Sequence, residues 1–302
     1  MRAHEVRQII RSVFADWLEQ RGDPWAEVVR IGCRYADDNF PYNLPWDTRV
    51  RLEELLQVHQ HRWDRGAHDL GVKVWFWRGM VEGCSCTAAK FLEVGPRLLE
   101  AFPLIHEVRI DGIRGRGAKL AASRELSAAR SLQFKELAGD DGERIIRSPH
   151  LTRVEKLWVA LPRPIDLAWL LDMPVARRLR LLDLSGSKLT ADVLGLFGLF
   201  GQTDAASGLE TLVLDSTGMD DEMARRLGKV TTFRNLKRLS LSGNRSLGTA
   251  GITAILQAEF APRLEALEFA YDRLDASRIK RLIESIVSST ASAQQHAQAS
   301  DT

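Results

Sequence analysis

Four groups of residues carry side chains whose types and spacing could do chemistry. Cys84-Ser85-Cys86 sets two thiols two residues apart, as a redox pair or a metal clip would. His59, His61 and His68, with Asp64 and Asp69 between and beside them, crowd metal-ligating groups into one short stretch. The run from Gly112 to Gly117, Gly-Ile-Arg-Gly-Arg-Gly, has the glycine density of a phosphate-cradling loop, with Arg114, Arg116 and Lys119 as cations. Asp16 and Glu19 lie about one helical turn apart, the arrangement of a carboxylate pair for acid–base work.

None of the four reaches the pattern its chemistry needs. His59 and His61 fall on different faces of a helix, and no Cys-x-x-Cys or His-Glu-x-x-His spacing completes a metal site. The glycine run lacks Gly-Lys-Ser/Thr and lacks G-x-G-x-x-G ahead of a good helix, so it reads as a loop with solvated cations. Asp16 and Glu19 read as a solvated face, helped by Arg11 and Arg21. Cys33 has no nearby base. No nucleophile, base and orienting group can be assigned together, so no catalytic residue, cofactor or metal is expected.

The elements that must position these residues follow from one stretch, Leu236 to Leu256. Leu236, Leu239 and Leu241 give L-x-x-L-x-L, followed by Asn244, Leu247 and an apolar run that Thr249 can cap. In a strand the side chains alternate, so Leu239 and Leu241 point inward and Ser240 outward. The Asn amide is suited to bonding the turn backbone. The same template recurs backwards and forwards, with first positions Val81, Ile105, Ala129, Val154, Leu179, Leu209, Leu236 and Leu264. Successive spacings are 24, 24, 25, 25, 30, 27 and 28 residues, at or just beyond the usual length of a leucine-rich repeat. The expected fold is therefore α/β: a leucine-rich repeat solenoid of about eight parallel strands, with helices at Asp221 to Lys229 and Ser277 to Val287 and shorter, irregular segments between Ile110 and Leu179. In this register Cys84 and Cys86 both face the core as small hydrophobes.

Ahead of the ladder the periodicity turns helical. Val6, Ile9, Ile10, Val13, Phe14, Trp17 and Leu18 fit one face of a first helix. Gly22 suits the left-handed position after its end, Asp23 the next N-cap and Pro24 the first turn of a second helix. A third opens at Asp47, past a loop holding Pro41 and Pro45. Six of the eight tryptophans fall between residues 17 and 77, which predicts a module held by aromatic packing.

Two motifs in this region resemble a known family. The stretch FADWLEQRGDPWAEVVR, Phe14 to Arg30, is similar to the signature of the bacterial repeat-companion domain, and WFWRGMVE, Trp75 to Glu82, resembles the segment that ends it. The likeness covers roughly residues 5 to 85, with Phe14 in place of a usual Tyr and Val28-Val29 where Phe-Ile is common. It implies a small helical domain in front of repeats, often leucine-rich ones, and no reaction, cofactor or catalytic residue. The expected division is a helical domain at 1–78, the repeats at 79–287 and a polar, disordered tail at 288–302.

The outward strand positions define the expected site. Position five gives Ser85, Arg109, Gln133, Trp158, Asp183, Val213, Ser240 and Glu268. Position three adds Glu107, Lys156, Leu181 and Arg238, and position seven adds Asp111, Lys135, Ser185, Asp215 and Ser242. Trp158, expected to face solvent beside Arg109, Lys156 and Leu181, has the composition of a protein-binding hot spot, with Gln133, Lys135 and Asp183 around it.

Bulk properties bound the rest. With 302 residues, 45% of them hydrophobic and 27% charged, the chain is long enough for two domains. Net charge is +2, and the mixed charge of the outward positions argues against a nucleic-acid groove. The amphipathic, charged N-terminal stretch reads as neither signal peptide nor anchor, and three cysteines suit a reducing compartment, so a cytoplasmic monomer without membrane attachment is expected. The leading expectation is a non-catalytic scaffold binding a protein or peptide on the concave repeat face. The alternative is an adaptor whose N-terminal module docks to another protein while the repeats read a substrate; a cysteine- or histidine-dependent enzyme comes third.

Overall fold

A computed structural model describes residues 3–35, 44–135, 137, 139–163, 178–190 and 208–269. The expected helix at Ser277 to Val287 and the tail at 288–302 lie outside them. The chain is α/β and divides into two compact units, Met1–Ile110 and Asp111–Thr302, so the division falls at 110/111 where the sequence pattern placed it at 78/79.

In the first unit, helices α1 (Ala3–Glu19), α2 (Trp25–Arg34), α3 (Trp46–Trp63) and α4 (Arg65–Asp69) precede strands β1 (Lys73–Trp77) and β2 (Met80–Thr87), helix α5 (Ala88–Ala101) and strand β3 (Glu107–Asp111). The start of α2 follows the local signals: Gly22 adopts φ +64°, and the Asp23 carboxylate accepts the Trp25 backbone N–H at 3.0 Å. Strand β1 corrects the expectation of an all-helical module. Its aromatic and β-branched residues pair antiparallel with β2 across the two-residue turn Arg78-Gly79. Both turn residues have positive φ, at 52° and 81°, as the right-handed twist of a tight hairpin favours. The turn lies flush on α2. A Cβ at Gly79 would come 2.4 Å from Val29 Cα, and one at Gly32 would come 2.1 Å from the Arg78 carbonyl carbon. Trp25 is the hub: it stacks on Trp63 at 5.5 Å, meets Phe14 and Phe76 edge-on, and donates from Nε1 to the Gly79 carbonyl at 2.6 Å.

Helix α1 turns a different face inward than its apolar periodicity suggested. Ala15 and Leu18 are buried with Val29 and Ala26, whereas Ile9, Ile10, Val13 and Trp17 are exposed. Arg11, read from sequence as solvated, is 9% exposed and forms an ion pair with Glu82, itself 4% exposed, at the end of the W-F-W-R-G-M-V-E segment. A buried charge needs a partner, so this pair sets which face of α1 packs.

In the second unit, strands β4 (Ser131–Phe134), β5 (Lys156–Val159), β6 (Leu181–Asp183), β7 (Thr211–Val213), β8 (Arg238–Ser240) and β9 (Ala266–Glu268) run in chain order and pair parallel, each with the next. Leu132, Leu157, Leu182, Leu212 and Leu239 are register partners in one line and are at most 1% exposed. Each such burial contributes about 1.5–3 kcal/mol. The interleaved segments are α6 (Gly117–Ala121), α7 (Gly139–Ile146), α8 (Asp221–Gly228) and α9 (Thr249–Leu256), with 3₁₀ turns at Arg124–Ala128 and Ala261–Arg263. Helices α8 and α9 pack on each other, and below them Phe233 and Phe260 meet edge-on at 5.6 Å. Every rung of the L-x-x-L-x-L ladder, from Val81 to Leu264, coincides with a strand from β2 to β9.

Candidate functional site

The site is built by alternation. With Leu157 and Val159 buried in β5, Lys156 and Trp158 must emerge on the other side of the sheet. Strands β6 and β7 repeat the alternation, while the outward Ser131 of β4 and Ser240 of β8 are themselves buried. Parallel register then aligns the emerging residues. Gln133, Trp158, Asp183, Val213, Ser240 and Glu268 are successive Cα partners and form one row. Lys156, Leu181, Thr211, Arg238 and Ala266 form a second row beside it.

Of the residues expected to bind a partner, Gln133, Lys135, Lys156, Trp158, Leu181 and Asp183 lie on β4 to β6 or directly after β4, within one unit. Gln133 and Asp183 flank Trp158, and Lys156 faces Leu181. Trp158 is half-buried rather than open to solvent, since its row neighbours stand on either side, while Lys135 and Lys156 are exposed. Arg109 belongs to the first unit. Its guanidinium lies 4.4 Å over the Trp75 ring, and the Trp75 indole N–H donates to Glu107 at 3.1 Å. That stacking is what engages Arg109, and it was not legible from the strand positions.

Polar groups on the open face are held in place before any ligand arrives. Asp215 Oδ1 accepts from Ser240 Oγ at 2.6 Å and from the Ser242 backbone N–H at 2.8 Å. Asp183 Oδ1 accepts from the Ser185 N–H at 2.8 Å. The second template position carries a further line, of alternating charge. Arg130, Glu155, Arg180, Glu210, Lys237 and Glu265 each follow the first residue of their repeat. They pair as Arg130–Glu155 at 3.4 Å, Arg180–Glu210 at 3.3 Å and Lys237–Glu265 at 3.2 Å. The signal in the sequence is the alternating sign at the second template position.

The cysteines, histidines and paired carboxylates singled out from sequence lie in different settings. Cys84 is buried, and burial, with Cys86 close by, pushes its thiol up to about 12. Cys86 is half-buried, which corrects its expected place in the core. Burial also raises the Cys33 thiol above its ordinary value. A thiol held protonated is a poor nucleophile and a poor metal ligand at neutral pH. His59 packs against Trp63 at 5.5 Å, His61 is exposed, and His68 is exposed beside Asp69. Among the described residues, no three His, Cys, Asp or Glu side chains come together as a metal site. Asp16 and Glu19 both pair with Arg30 on the surface, which raises the guanidinium's pKa.

In the glycine run, Asp141 takes the place an anion would have. It accepts the Gly115 N–H at 2.5 Å and the Gly117 N–H at 2.9 Å, satisfying donors at the start of α6. Asp221 does the same four strands further on, at the helix pair that flanks β8, accepting the Gly248 and Gly251 N–H groups at 2.7 and 2.9 Å. This corrects the expectation that Thr249 caps α9: Thr249 is its first helical residue, and the cap comes from Asp221 at the start of α8. Asp220 in turn caps α8 through the Met223 N–H at 2.8 Å.

No helix among the described residues is long and apolar enough to cross a membrane. No protein-family model matches this chain, and no curated protein matches it either.

Proposed function

We propose that the second unit is a leucine-rich repeat solenoid, that the first is a repeat-companion domain, and that the chain is a non-catalytic binding protein. The open sheet face takes a protein or peptide partner, centred on Trp158. The observation that carries this reading is the register row Gln133–Trp158–Asp183, with Lys156 opposite Leu181 beside it. A half-buried indole rimmed by polar side chains offers apolar area at low conformational cost. Binding rather than catalysis is supported by the thiol of Cys84, held up to about 12, and by histidines spent on packing and surface.

The test is cross-linking of the full chain in its native extract, compared with Trp158→Ala and Lys156→Glu. Partner capture is expected to drop with both substitutions while the folded stability is kept. Capture unchanged by either substitution removes the face from the function.

A second reading, in which the first unit docks to another protein while the repeats read a substrate, is favoured by the exposed row Ile9, Ile10, Val13 and Trp17 on α1. Ile10→Ser with Val13→Ser separates the two: loss of recruitment with the Trp158-dependent contact retained supports the adaptor.

A further inference from the structure

We infer that the partner segment is an extended polypeptide with its acidic residues over β4 and β5, an apolar side chain at Trp158, and its basic residues over β6 to β9. This rests on the binding face proposed above and specifies the chemistry of what it takes.

The inference comes from how charge is ordered along the aligned rows. At the β4–β5 end stand Lys135 and Lys156, both exposed. At the other end stand Asp183, Asp215 and Glu268 on β6, after β7 and on β9. Arg238 on β8 offsets one of these carboxylates and leaves that end acidic. Trp158, Leu181 and Val213 occupy three successive strands, β5 to β7, and are half-buried, forming an apolar step that begins beside Lys156 and runs on beside Asp183 and Asp215. The alternating line from Arg130 to Glu265 does not disturb this order, because its charges pair with each other. Asp183 and Asp215 are already oriented by backbone N–H donors, so a cationic side chain meets a fixed carboxylate rather than ordering a mobile one. A nucleic acid would meet the acidic end along its whole backbone, which the face opposes. A polypeptide can place each charge where it is matched.

The length is set by the sheet. From β4 to β9 there are five interstrand steps, about 24 Å at the usual spacing, which an extended segment of about seven residues covers.

The experiment uses the full chain and three fluorescein-labelled synthetic peptides of one composition in fluorescence anisotropy at physiological salt. One is Asp-Asp-Ser-Leu-Ser-Lys-Lys, one is its reverse, and the third interleaves the charges around the same leucine. At least one segregated peptide is expected to bind about tenfold tighter than the interleaved one, because like charges brought together cost what matched ones gain. Lys156→Glu is expected to erase that difference, and Trp158→Ala to weaken all three. Equal binding of segregated and interleaved peptides, all lost with Trp158→Ala, overturns the charge order and leaves the face standing. Binding indifferent to Trp158→Ala overturns the face. Failure of both segregated peptides to bind overturns the inference, and the cross-linking comparison then decides the wider reading on its own.

Discussion

Asn244 and Thr217 occupy the same place in consecutive turns, and the amide of the first closes the turn that holds the second. Asn244 Oδ1 accepts the backbone N–H groups of Thr217 and Met219 at 2.9 and 3.0 Å. Its Nδ2 donates to the carbonyls of Leu214 and Leu241 at 2.8 and 2.9 Å. One buried side chain thus ties together the backbones of two neighbouring repeats. Ser187 plays a smaller version of the part, accepting the Leu161 N–H at 2.9 Å.

Asn244→Ala is expected to destabilise the chain by about 2–4 kcal/mol, because it strands two buried N–H groups and the Leu241 carbonyl, while the Leu214 carbonyl keeps the Thr217 hydroxyl as donor. Asn244→Asp keeps the acceptor, loses the donor and places a charge at a buried site, so it is expected to be no better. Urea denaturation read by tryptophan fluorescence measures both, with Arg245→Ala on the exposed side of the same turn as a control near zero. An Asn244→Ala chain as stable as its parent would remove the turn from the account.

The Arg11–Glu82 pair yields a prediction with two signs. Glu82→Gln leaves Arg11 buried and uncompensated, and Arg11→Met leaves Glu82 with only the His106 ring 3.7 Å away, each at a cost of about 3–5 kcal/mol. Replacing both with apolar residues of similar volume is expected to recover most of that loss. A double variant as unstable as the sum of the singles, in a denaturant-based mutant cycle, would show that the pair does not act as a unit.

Cys84 ties stability to alkaline pH. Its folded-state pKa is raised to about 12 from an ordinary value of 9.0. A raised value means the folded state prefers the protonated thiol, so this contribution is fully present below pH 9 and is lost as pH rises through about 12. Stability is therefore expected to fall over that window, and Cys84→Ala to flatten that part of the curve. Iodoacetamide at pH 8 is expected to leave Cys84 unmodified in the folded chain and to alkylate it in denaturant, as mass spectrometry of the peptides would show. Early alkylation of Cys84 in the folded state would contradict its burial.

The alternating line of charge predicts a failed rescue. Arg180→Glu removes the pair with Glu210 and sets a carboxylate between Glu155 and Glu210, at a cost of up to about 1 kcal/mol that shrinks at high salt. Adding Glu210→Arg restores one pair but puts the new Glu next to Glu155 and the new Arg next to Lys237. The double variant is therefore expected to regain little, where an isolated pair would regain most. Full recovery in thermal melts at low salt would reduce the line to three independent pairs.

What could be read without coordinates was whatever one strand or one turn decides alone. The buried row from Leu132 to Leu239 and the outward row through Trp158 both follow from alternation, a property of a single strand. The opening of α2 followed from Gly22, Asp23 and Pro24 for the same reason: each acts within three residues of itself. Strand β1 escaped because four successive aromatic and aliphatic residues, Val74 to Trp77, serve a buried helix turn as well as a strand, and only pairing with β2 chooses.

The partners of polar groups were decided by tertiary structure. Arg11 is buried because Glu82, 71 residues on, stands against it; Arg109 is taken up by Trp75; the start of α9 is capped by Asp221, 27 residues before Gly248. Burial of apolar surface is non-directional, so its pattern survives in the linear order of residues. A hydrogen bond or ion pair requires two groups about 3 Å apart, and for residues this distant in sequence only the folded chain brings them there.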